Sequence, residues 1–101
     1  MAVIDIVEYR SLAVDALNRH MPAGLEPHIA IQLLSNGGAN TVTPNPFSSD
    51  TNFVRVHTDA PCRIEIGMAP TATGSSMRLA GNTTEYFGVR PGMKLAVVTS
   101  T

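Results

Sequence analysis

Metal binding and nucleophilic catalysis are the chemistries that the polar residues of this sequence could support. The candidate metal ligands are His20, His28, His57 and Cys62. We predict no metal site, because zinc ligands usually come in closely spaced pairs and these residues do not. Cys62 with His57 could instead form a nucleophile and its base. Cys62 shares its strand parity with Ile64 and Ile66, however, and a thiol buried among apolar side chains is inert. We therefore interpret Cys62 as a core residue.

The sequence contains no other catalytic motif. Asp5 and Glu8 are interpreted as a solvated or intersubunit acidic patch rather than as an acid–base pair. Residues 67–76 are rich in small residues, but their glycine interval is not that of a phosphate-binding loop and no lysine follows. Tyr86 and Phe87 are expected to pack in the core and at its rim rather than to form a ligand shelf. We therefore predict a non-enzymatic protein with no cofactor.

The composition predicts one small domain, residues 1–101, whose surface carries little charge. The chain is 44% hydrophobic and only 15% charged, against about 25% in typical proteins, and Thr, Ser and Asn supply the remaining polarity. A net charge of -1 favours neither nucleic acid nor an anionic membrane as a partner. A single cysteine excludes an internal disulfide. The early acidic residues argue against a signal peptide, and the lack of a long apolar stretch argues against a membrane span. We therefore expect a protein made in the cytoplasm.

The first half of the chain predicts a few strands and one ambiguous segment. Residues 1–9 have apolar side chains on both parities, which is typical of a strand covered on both faces. Residues 11–20 are compatible with either a short helix or an extended excursion. Residues 28–34 form a predicted strand with Ile29, Ile31 and Leu33 on one parity. Residues 36–50 are a predicted loop with a short strand near 41–43.

The second half is punctuated by Gly and Pro turns at intervals typical of an antiparallel all-β domain. Predicted strands lie at 53–57, 62–68, 77–80, 85–89 and 95–99. A hairpin over the first two would set Val56 opposite Cys62 and Val54 opposite Ile64. Residues 69–76 are a predicted exposed loop, and Pro91 and Gly92 are placed for a type II turn. The expected fold is a compact antiparallel β-sandwich or flattened barrel of about seven strands.

Several segments of the chain resemble the small structural proteins of tailed bacteriophages. The distinctive ones are APTAT at 69–73, MRL at 77–79 and TEYFGV at 84–89, supported by FVRVHTDA at 53–60, Cys62 and Gly67. The opening EYRSL at 8–12 and the Glu26-Pro27 pair are also similar. The resemblance covers most of the chain and is weakest over residues 37–50. It implies a virion component made in the bacterial cytoplasm, a capsid decoration (cement) protein that binds the major capsid protein and stabilises the head.

A decoration protein needs surfaces for its neighbours. We expect contacts between subunits or with the capsid at the N-terminal strand and at the loop around residues 44–47. The side chains expected to make them are Val3, Ile4, Ile6, Tyr9, Pro44, Pro46 and Phe47. A homodimer or homotrimer is expected from the local symmetry of virions. Three alternatives stay open: a tail or head-to-tail adaptor component, a carbohydrate-binding module, and a small hydrolase using Cys62 and His57. The few aromatic residues disfavour the carbohydrate-binding module.

Overall fold

The computed structural model describes residues 2–14, 16–17, 19–24, 26–37 and 39–99. These residues form ten strands and no helix. The strands are β1 Ala2–Tyr9, β2 Leu12–Val14, β3 His20–Gly24, β4 Ala30–Asn36, β5 Thr41–Val42, β6 Phe53–Thr58, β7 Cys62–Gly67, β8 Met77–Leu79, β9 Thr83–Gly88 and β10 Lys94–Thr99.

Two four-stranded antiparallel sheets form the body of the fold. The first sheet has the strand order β4-β1-β6-β9 and the second has the order β5-β10-β7-β8. A separate two-stranded hairpin joins β2 to β3. The expected all-β, sandwich-like architecture is confirmed. The predicted number of strands was too low, because β2, β3 and the two-residue β5 add to the segments with clear alternation.

The core lies between the two sheets and is filled by alternate residues of their strands. In β6, for example, Val54 and Val56 are fully buried whereas Arg55 is only half-buried. A strand places successive side chains on opposite faces, so one parity supplies the core. The buried cluster consists of Ile4, Ile6, Leu34, Phe47, Val54, Val56, Cys62, Ile64, Leu79, Val89, Leu95 and Val97.

The predicted hairpin between β6 and β7 is wrong. β6 pairs with β1 and β9, whereas β7 pairs with β10 and β8. The connection therefore crosses from one sheet to the other, and Val56 and Cys62 belong to the same core from opposite layers. The turn is tied by Thr58, whose hydroxyl donates to the carbonyl of Ala60 at 2.6 Å. Parity was predicted correctly, but parity does not reveal which strands share a sheet.

Of residues 11–20, residues 12–14 lie in β2, residue 20 begins β3 and residues 16–17 form a turn, so the helical alternative is wrong for the described residues. β2 pairs with β3, with Leu12 opposite Gly24. Gly24 also lies flat against the ring of Tyr9, where a Cβ atom would overlap the ring carbons. The hairpin thus covers Tyr9 on the outer face of β1, and Val7 is also buried on that face. The prediction that β1 is covered on both faces is confirmed for these two residues.

The loops include one confirmed and one corrected prediction. The turn at 90–93 forms as expected, with Gly92 at a φ of 85° and the Met93 N–H donating to the Arg90 carbonyl at 3.3 Å. Residues 69–76 are not wholly exposed, because Ala72 and Ser76 are buried. The Ser76 hydroxyl donates to Glu65 at 2.8 Å, which fastens this loop to β7.

Candidate interaction surface

β4 buries its even-numbered residues Gln32, Leu34 and Asn36 and exposes the apolar residues Ile31 and Leu33. Ile31 and Leu33 are 54% and 66% exposed, whereas Gln32 and Asn36 are 8% and 0% exposed. The sequence predicted the strand but not this orientation, since Ile31 and Leu33 form the obvious apolar parity. An exposed apolar row on a regular strand is informative, because a small soluble domain gains stability by burying such side chains.

Hydrogen bonds explain why the polar parity points inward. The Gln32 amide donates to the Glu8 carboxylate at 3.1 Å and to the Asn45 carbonyl at 3.1 Å. The Asn36 amide donates to the hydroxyl of Thr41 at 2.9 Å and, at 3.2 Å, to a carbonyl of β10. Buried polar groups with such partners carry little penalty. The orientation of β4 is therefore fixed from inside the sandwich, and Ile31 and Leu33 remain at the surface.

Val3 extends this apolar surface onto the neighbouring strand. It lies on the outer face of β1, opposite Ser35 of β4, and is 37% exposed. Its N–H donates to the Asp59 carboxylate at 2.7 Å, which fixes this end of β1. We call Val3, Ile31 and Leu33 the β4 patch. Among the predicted interface residues, Val3 is the one that belongs to it.

Three predicted interface residues are core residues of the chain itself. Ile4 and Ile6 are fully buried between the sheets and Phe47 is 2% exposed. The backbone of Phe47 is also held on both sides, because its N–H donates to Met93 and its carbonyl accepts from Gly92. The prediction that these three side chains face a neighbouring subunit is corrected, because the even-numbered residues of β1 point into the sandwich and Phe47 packs in the same core cluster.

Tyr9 is also enclosed by its own chain. Its hydroxyl donates to the Glu26 carboxylate at 2.9 Å, and its ring packs against Gly24 and Phe53. Burial, followed by the hydrogen bond to Glu26, raises the pKa of Tyr9. The hydrogen bonds from Tyr9 and then His28 lower the pKa of Glu26. Tyr9 therefore fastens the segment after the hairpin to β1 and is not an interface side chain.

Pro44 and Pro46 are exposed, as expected for interface residues. They flank Asn45, whose backbone N–H and carbonyl both bond to the side-chain amide of Gln32. The loop thus lies beside β4 and is held to it through that amide. Contact between these prolines and a partner stays a prediction.

Glu8 is a buried carboxylate that the sequence did not identify. It is 2% exposed and accepts hydrogen bonds from the Ser48 N–H at 2.8 Å, the Thr51 hydroxyl at 2.8 Å and the Gln32 amide at 3.1 Å. The expectation of an acidic patch with Asp5 is wrong for Glu8, because the parity of β1 places the two on opposite faces. Glu8 ties the loop at 48–51 to β1 and β4.

Cys62 and His57 do not form a catalytic pair in this fold. Cys62 is fully buried in the core, and burial raises the pKa of its thiol. His57 lies on the outer parity of β6, with its Nδ1 atom 2.8 Å from the Thr84 hydroxyl. Within the described ranges, no three His, Cys, Asp or Glu side chains come together to hold a metal ion.

No helix long and apolar enough to cross a membrane occurs in the described part of the chain. Comparisons with protein-family models, with curated proteins and with solved structures found no match to this chain.

Proposed function

We propose that this chain is a non-enzymatic virion structural protein of the capsid decoration type, which binds the major capsid protein and stabilises the head. The observation that carries the proposal is the β4 patch, a set of exposed apolar side chains on two paired strands. The resemblance of residues 53–89 to small phage structural proteins supports the same function.

The β4 patch suits attachment to a larger assembly. Exposed apolar side chains that cluster on one face are typical of protein interfaces. Ile31 and Leu33 lie on one face of β4, and Val3 lies diagonal to Leu33 on the neighbouring strand. The half-buried Asp5 is opposite Leu33, so this apolar surface borders one carboxylate. Their strands are fixed from inside by Glu8 and Gln32, so binding orders little of the backbone and loses little conformational entropy.

Attachment would also stabilise the decoration protein itself. A partner that binds only the folded chain adds stability according to its concentration and affinity. A domain of 101 residues buries a modest fraction of its unfolded surface, roughly two-thirds, so this contribution matters. The same coupling acts in reverse on the shell, which is how a bound cement protein stabilises a head.

The test is binding of the purified chain to heads that lack it. We expect saturable binding, with on the order of hundreds of copies on each head at saturation. The Val3→Lys variant places a charge in the β4 patch without altering the edge of β4, and its affinity is expected to fall about tenfold or more. Met68→Lys is the matched control, because Met68 is 67% exposed and lies outside the patch.

Two outcomes would count against this function. Equal binding of parent, Val3→Lys and Met68→Lys would remove the patch from the interface. Saturation at about a dozen copies or fewer would instead indicate a head-to-tail adaptor at a single vertex.

A further inference from the structure

The four edge strands of the two sheets differ in the features that prevent pairing with a strand of another molecule. In the second sheet, β5 spans two residues and β8 spans three. In the first sheet, β9 carries Glu85 and ends in Gly88. β4 has seven residues, AIQLLSN, with no charge, proline or glycine. Short length and charge are the usual devices that stop an edge from pairing with another strand. β4 has neither.

Hydrogen bonds of β1 show which of its backbone groups face which neighbour. The Asp59 N–H donates to the Val3 carbonyl at 3.2 Å, and the Asn52 N–H donates to the Tyr9 carbonyl at 3.1 Å. Both donors lie at the ends of β6, so the odd-numbered residues of β1 point their backbone groups towards β6. In an antiparallel ladder the groups alternate, so the even-numbered residues point towards β4.

The same alternation assigns the backbone groups of β4. Glu8, an even residue of β1, accepts from the Ile29 N–H at 2.7 Å, and Ile4 is opposite Leu34 in the register. The even-numbered residues of β4 are therefore bonded to β1. The backbone N–H and carbonyl groups directed to the open edge belong to Ile31, Leu33 and Ser35.

We infer that β4 pairs antiparallel with β4 of a second copy of this chain, about a two-fold axis at Leu33. Leu33 is the central residue of β4, and it is also an edge-facing one. An axis there makes Leu33 and the partner's Leu33 a hydrogen-bonded pair, and it places Ile31 opposite the partner's Ser35. About six backbone hydrogen bonds would join the copies, and the first sheet would continue across the axis as one eight-stranded sheet.

The symmetry of the edge favours a second copy over an unrelated strand. A two-fold contact uses the same surface twice and closes as a dimer. The absence of charge in β4 means that no like charges meet at the axis. Pairing of β4 with β9 of another copy would be head-to-tail and would grow without limit. The charge of Glu85 on β9 disfavours strand pairing at that edge. The pairing stands apart from the proposed function, because it needs no capsid.

The oligomeric state of the purified full chain tests the pairing. Sedimentation velocity should show a dimer of twice 10.7 kDa at high concentration. Leu33→Lys puts two lysines against each other on the axis and should weaken dimerisation about tenfold or more. Met68→Lys adds the same charge elsewhere and should leave the dimer unchanged. Circular dichroism of each variant confirms that the fold is kept.

Disulfide trapping tests the register. Cα atoms of a hydrogen-bonded antiparallel pair lie about 5.5 Å apart, within the range of about 4.4–6.8 Å that a disulfide spans. Leu33→Cys should therefore cross-link to itself on oxidation. Ile31→Cys should not, because two copies of that position lie roughly 14 Å apart at about 3.4 Å per residue. The double variant Ile31→Cys/Ser35→Cys should cross-link.

Other results would overturn the inference. A chain that stays monomeric into the millimolar range would exclude self-pairing, whatever its behaviour towards heads. A dimer that tolerates Leu33→Lys, or that cross-links through Ile31→Cys alone, would place the contact elsewhere.

Discussion

The buried carboxylate of Glu8 gives a sharp test of how the structure fixes β4. Glu8→Gln keeps the size of the side chain but removes its charge and turns one acceptor into a donor. The oxygen bonded to Ser48 and Thr51 can remain. The new amide would then face the Gln32 amide, which can turn only by giving up its bond to Asn45.

The expected cost follows from these three bonds. A hydrogen bond to a charged group contributes about 1.5–3 kcal/mol and a neutral one about 0.5–1.5 kcal/mol. A loss of about 1 kcal/mol at each of the three bonds lowers the free energy of unfolding by about 3 kcal/mol.

Urea unfolding of the purified chain measures this change, with Asp5→Asn as the control on the opposite face of β1. A double-mutant cycle with Thr51→Val should give a coupling energy of about 1 kcal/mol, because the two side chains share one hydrogen bond. A Glu8→Gln variant within about 0.5 kcal/mol of the parent would refute the view that this carboxylate holds the loop and β4 in place.

Four further predictions concern other parts of the fold. Gly24→Ala should loosen the hairpin, seen as faster amide exchange in β2 and β3, because the new methyl group overlaps the Tyr9 ring. Ile6→Ala should cost about 2–5 kcal/mol of stability through a core cavity, measured by urea unfolding. Cys62 should resist alkylation in the native chain and react once it is unfolded. Tyr9→Phe should raise the pKa of Glu26 in an NMR titration, because the phenol hydrogen bond that lowers this pKa is lost. In the parent chain, the contribution of Glu26 to stability is present above the pKa that Glu26 has when unfolded. This contribution is lost as the pH falls through the pKa of Glu26 in the folded chain.

Local patterns in the sequence predicted the strands and turns well. The alternation in residues 53–57 and the Pro91-Gly92 pair each specify a backbone conformation through nearby residues alone. The assignment of strands to sheets depends on non-local pairing, and here the same alternation fits a hairpin and a sheet-to-sheet crossing equally. That ambiguity is why the β6–β7 pairing was predicted wrongly.

The interaction surface was harder to predict for a related reason. Hydrophobicity alone favours burying Ile31 and Leu33, and their exposure results from hydrogen bonds that hold Gln32 and Asn36 inside. Those bonds involve residues far along the chain, including Glu8. Composition gives no sign of them, so the predicted interface fell on Ile4 and Ile6, which are core residues.

The most direct test of the central claim is the copy number of this chain in purified phage particles, relative to the major capsid protein. Quantitative mass spectrometry of intact particles provides it. The proposed function predicts a fixed ratio corresponding to on the order of hundreds of copies in each head. Absence of the chain from particles would contradict the claim that it is a virion structural protein.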